Sequence, residues 1–169
     1  VFSKPKTKIT EFRSLIPTEL RKSGIYTTYI INQPQQQLLN NISYLFDEWA
    51  AYCINIRVSL ELENLGKPER NSWASNGAPL FFGFIATGLH FMLSNEPEKL
   101  NDKQFKAAFA LFAEYTWEYA LRKALNSSQF KADAESFINY YTNHNEFKPI
   151  KESLVKIYGT EWVNKVIHQ

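Results

Sequence analysis

PQQQLLNNISYLFDEWAAYCINIRVSLELENLG, residues 34–66, is the stretch on which the fold turns. After Pro34, which is tolerated in a first helical turn, neither Gly nor Pro interrupts the chain until Gly66. Leu38, Ile42, Leu45, Trp49, Cys53, Ile56 and Leu60 recur at spacings of three and four, the pattern of one buried helix face. A second pattern competes at the C-terminal end. Ile54, Ile56, Val58, Leu60 and Leu62 alternate with Asn55, Arg57, Ser59 and Glu61, the period-two signature of a half-buried strand. No turn residue separates Leu45 from Ile54, so the spacing favours continuous helix over the strand.

Working outward from this segment, most of the chain repeats the helical pattern. Phe105, Phe109, Phe112, Thr116 and Tyr119 form one stripe, with Asn101 and Gln104 as a capping pair at its start. Ala134, Phe137, Ile138 and Tyr141 form another. Pro149 opens a last helix carrying Ile150, Leu154 and Ile157, which Gly159 ends or kinks. The apolar run from Ala78 to Leu93 falls short of the roughly 20 residues of a bilayer span and reads as a buried core helix, so no membrane span is expected. Ile25 to Ile31 is β-branched and aromatic, the composition of a strand. Between Leu65 and Pro79 lie Gly66, Pro68, Asn71, Ser72, Ser75, Asn76 and Gly77, the composition of a long loop. The expected architecture is a single, mainly α domain over residues 1–169: a compact bundle of about five helices with room for a short β element. The alternative is α+β with strands near 25–31 and 54–62. Residues 1–16 open the domain as a basic N-terminal arm, part of a stretch in which Lys4, Lys6, Lys8, Arg13, Arg21 and Lys22 oppose only Glu11 and Glu19.

Composition bounds the function. With 44% hydrophobic and 15% aromatic residues the chain has the groups to build a core. A net charge of +2 is too small to signal strong attraction to nucleic acid. The lone Cys53 rules out an internal disulfide or a Cys-based metal site, and favours a reducing, cytoplasmic setting. No signal-peptide pattern opens the chain. Glycine-rich phosphate loops, nucleophile elbows and zinc-protease helices are missing from the sequence. Glu114 and Glu118 share a helix face but lack the Glu-x-x-His companion of di-iron bundles, so neither metal nor cofactor is expected.

Two groups of residues stand out against this background. Trp73 sits in the long loop with Arg70 three positions before it, and Trp and Arg are the types enriched at binding hot spots. Trp73 either covers the core beneath the loop or, with Arg70, contacts a partner. His90 stands between Leu89 and Phe91 in the most apolar helix, where an imidazole needs a hydrogen-bond partner. The expected function is a non-catalytic adaptor, regulatory or assembly component whose partner is another protein. The alternative is a helical small-molecule-binding protein or enzyme with an apolar pocket near His90 and Trp117.

Overall fold

A computed structural model describes residues 6–67 and 74–167. Eight α-helical segments occur among the described residues: α1 (Ile9–Phe12), α2 (Gly24–Tyr26), α3 (Ile42–Asn64), α4 (Ala74–Asn95), α5 (Lys103–Tyr115), α6 (Lys131–Asn143), α7 (Lys148–Tyr158) and α8 (Thr160–Ile167). The chain is therefore mainly α, as expected, with eight such segments where about five were anticipated. No strand forms among the described residues, so the α+β alternative fails at both proposed positions.

The reasons differ between the two positions. Residues 54–62 belong to α3, which buries Ile42, Leu45, Trp49, Cys53, Ile56 and Leu60 on one side. The alternation there is two apolar stripes on one helix: Ile54 is 62% exposed and Val58 46%. Residues 25–31 form α2 and a π-helical continuation, Thr27–Asn32, started by the Ser23 hydroxyl accepting from the Tyr26 N–H at 3.0 Å. Their β propensity gives way to packing, because a strand with no neighbour leaves its backbone groups unpaired. Tyr26 and Tyr29 instead meet Phe84 and Phe81 of α4, with ring centroids 6.1 and 5.1 Å apart.

The ends of α3 follow local chemistry. Asn41, in extended backbone, accepts from the Ser43 N–H at 2.9 Å and starts the helix seven residues after Pro34. Leu38 consequently lies outside the helix and is 92% exposed. At the other end Gly66 adopts φ +70°, and the N–H groups of Gly66 and Lys67 bond back to the carbonyls of Glu63 and Leu62, satisfying two orphan acceptors. Likewise α5 is capped by Asp102, which accepts from the N–H groups of Gln104 and Phe105, and not by the expected Asn101–Gln104 pair.

Helix α4 runs through the centre, packed by α3, α7 and the π-helical segment Thr116–Arg122 that continues α5. It begins at Ala74 and takes in Pro79, so residues 74–79, expected in the long loop, are helical, while residues 68–73 of that expected loop lie outside the described residues. Its stretch Ser75–Asn95 spans 21 residues, longer than the run anticipated, and is long and apolar enough to cross a bilayer. Yet 78% of its most apolar window is buried inside the fold. At this centre its Phe82 packs against Trp49, Phe109 and Tyr141. Trp49 donates its indole N–H to the Thr116 hydroxyl at 2.9 Å, and Tyr141 donates its phenol to the Pro79 carbonyl at 2.6 Å. Close approach at α4 depends on Gly83, where a Cβ would lie 2.5 Å from Leu20 Cδ1 and 2.8 Å from Tyr141 Oη. Within the stretch expected as a basic arm, Thr7, Ile9, Phe12 and Ile16 are buried, and the Ile42 N–H bonds to the Thr7 carbonyl at 2.9 Å.

Candidate functional site

The residues singled out in the sequence fall in separate places. Arg70 and Trp73 lie outside the described residues. His90 faces α7, its Nδ1 2.7 Å from the Ser153 hydroxyl. Ser153 in turn donates to the Pro149 carbonyl at 3.1 Å, so Nδ1 carries the proton and donates to Ser153. A Ser–His contact invites comparison with an activated nucleophile, but the geometry is structural. Ser153 is buried, its proton is committed within its own helix, and no carboxylate accepts from the imidazole among the described residues. Burial, with Lys156 nearby, holds the His90 pKa below its ordinary value.

Trp117 is buried against Phe82 and Tyr141, and its indole N–H has no hydrogen-bond partner among the described residues. Neither it nor His90 lines the clefts described below. Burial pushes the Cys53 thiol up to about 12, which leaves it protonated and unreactive at neutral pH. Glu114 accepts from the Trp162 indole at 2.9 Å and pairs with Lys165 at 3.5 Å, while Glu118 pairs with Lys123 at 3.3 Å. Among the described residues no three His, Cys, Asp or Glu side chains gather as a metal site would require.

Two surfaces remain that local sequence did not announce. The first is the outer face of α3 and α5. Ile54 and Val58 stand one turn apart on α3, and Leu65, 72% exposed, continues their side three turns from Ile54. Arg57, three residues after Ile54, reaches across to α5: its guanidinium lies beside the Tyr115 hydroxyl and 5.8 Å from the centre of the Tyr119 ring. Those two tyrosines stack with centroids 4.4 Å apart. Leu111, one turn before Tyr115, is 65% exposed and borders a groove of about 310 Å³ reaching Val166 on α8. Charges on this face are matched within the chain, Arg57 with Glu61 at 2.8 Å as well as the two pairs already named.

The second surface is a cleft of about 760 Å³ where the N-terminal segment crosses α4 and α6. Leu20, Ile25, Leu80, Phe137 and Tyr140 supply its apolar lining. Glu19, Lys22, Asn76, Ser136, Asn139 and His144 supply polar groups, with Glu19 and Lys22 paired to each other at 2.5 Å. Tyr140 is buried, stacks on His144 with centroids 4.8 Å apart, and has a hydroxyl with no partner among the described residues. Its burial, reinforced by Glu146 and Glu19, raises the phenol pKa and keeps the proton in place.

No protein-family profile, curated protein or solved structure matches this chain.

Proposed function

We propose that the protein is a non-catalytic binding module that docks another protein on the outer face of α3 and α5. The observation that supports this most directly is the second apolar stripe on α3. Isolated exposed hydrophobics are ordinary on protein surfaces. Here Ile54, Val58 and Leu65 repeat along one side of a helix whose other side is already committed to the core. Arg57 joins them to a stacked tyrosine pair and to Leu111. Tyrosine and arginine among apolar groups, with charges matched at the rim, are the ingredients of an interface centre.

The experiment places a photo-crosslinking residue at Val58 in the native source and compares the unsubstituted chain with the double variant Ile54→Arg, Leu111→Arg. Both side chains are exposed, so the variant should keep its helicity and melting temperature. A protein adduct at Val58 that disappears in the variant is the expected result. An adduct of equal yield in both chains, or none in either, would refute the docking face.

A further inference from the structure

We infer that the partner on the α3–α5 face is a second copy of this chain, paired antiparallel along α3 about a two-fold axis. This rests on the docking-face reading and names its occupant. Spacing is the first observation. Asp47, Ala51, Ile54, Val58, Glu61 and Leu65 follow one another at alternating intervals of four and three, and all of them are exposed. An alternation of that kind is the seam of a helix that packs along one other helix. Ala51, Ile54, Val58 and Leu65 make it largely apolar, on the side away from the core residues Trp49, Cys53, Ile56 and Leu60.

Charge selects a second copy as that helix and sets its direction. From Ala51 to Leu65 the one charged member of the seam is Glu61, which accepts from Arg57 at its edge at 2.8 Å. A parallel copy would set Glu61 against Glu61. An antiparallel copy with Ile54 opposite Val58 would bring the two Arg57 side chains together. Placing Val58 opposite Glu61 of the second copy removes both conflicts. In that register Ile54 faces Leu65 of the second copy at each end of the seam, and Arg57 comes beside the second copy's Glu61 as well as its own. The result is a ring of two arginines and two glutamates with alternating sign and no net charge.

An unrelated partner would have to bring a matching acid and base at this spacing, whereas a second copy carries both by symmetry. The rest of the face adds no repulsion, because Glu114 is paired with Lys165 and Glu118 with Lys123. The seam from Ile54 to Leu65 is about 16 Å long at the helical rise. An interface of that length belongs to the small, weak class, so the dimer should form in the micromolar range.

Sedimentation equilibrium of the full chain tests this. The expected result is a monomer–dimer equilibrium that Val58→Arg, entering the interface twice, weakens about a hundredfold or more. Arg57→Glu alone and Glu61→Arg alone should each give monomers with unchanged helicity, since both side chains are more than half exposed. Mixed together, these two variants should recover a dimer containing one of each, read by native mass spectrometry, because every acid then meets a base. A dimer indifferent to Val58→Arg would overturn the inference, as would variants that fail to combine. An unsubstituted chain that stays monomeric would overturn it as well. If that monomer still gives a Val58 photo-adduct with a different protein, the docking face stands without self-association; if it gives none, both readings fall.

Discussion

Replacing Gly83 by alanine tests the packing at the centre of the fold, because two opposing effects have different sizes. In an ordinary helix interior, Gly83→Ala stabilises by about 1 kcal/mol through lost backbone freedom in the unfolded chain. Here the added methyl would sit 2.5 Å from Leu20 Cδ1 and 2.8 Å from Tyr141 Oη, both on buried side chains. Leu20 can swing its terminal methyl, whereas Tyr141 is held by its 2.6 Å hydrogen bond to the Pro79 carbonyl. Overpacking costs roughly 1–3 kcal/mol, and dislodging the phenol strands a buried hydroxyl at a further cost of about 1–3 kcal/mol. The net expectation is a loss of about 1–5 kcal/mol. For a domain of this size that lowers the Tm by roughly 2–20 °C.

Thermal and urea unfolding followed by circular dichroism read the change. A double-mutant cycle isolates its cause. Tyr141→Phe removes the oxygen, leaving the ring carbon at 3.5 Å as the nearest Tyr141 contact, an ordinary van der Waals distance. In that background Gly83→Ala should cost at least about 1 kcal/mol less than alone. An unchanged or raised Tm for Gly83→Ala, or the same cost in both backgrounds, would refute the proposed approach of α6 to α4.

Two other predictions rest on single polar groups. Tyr140→Phe should stabilise by about 1 kcal/mol, since it deletes a buried hydroxyl that has no partner among the described residues, and urea titration would show the midpoint rising. His90 makes stability depend on pH: its folded pKa lies below the ordinary 6.5, so the unfolded chain binds the proton first. Its contribution is present above that value and is lost as the pH falls through and below it. His90→Gln should flatten this part of the pH–stability profile, and an unchanged slope would contradict the assignment.

Much of the fold could be read from the sequence because apolar spacing reports burial directly. The α3 stripe from Ile42 to Leu60 was legible in this way, as was the stop at Gly66, where only a residue without Cβ adopts the positive φ at little cost. Its start was misplaced because Pro34 looked like an opening, while the operative signal was Asn41 accepting from Ser43. Pro79 misled in the opposite direction, placing the start of α4 too late, since the helix accommodates it in its interior. The 25–31 segment was illegible for another reason: its β-branched residues are neutral witnesses until it is known whether a neighbouring strand exists, and here α4 is the neighbour.

The candidate surfaces were harder to foresee, and the two differ in kind. The cleft joins Lys22, Asn76 and Tyr140, which are too far apart in sequence for any local spacing to announce, so only the folded arrangement brings them together. The α3 face did leave a trace. A helix that buries one side and is polar on the other gives an unambiguous three-to-four repeat. The stretch from Ile54 to Leu62 did not, because Ile54 and Val58 interleave with Ile56 and Leu60 and imitate a strand. Once the chain is known to be helical there, the same ambiguity acquires a physical meaning. Apolar residues point outward from a helix already packed on its inner side, and under the proposed function that outward stripe is covered by a partner.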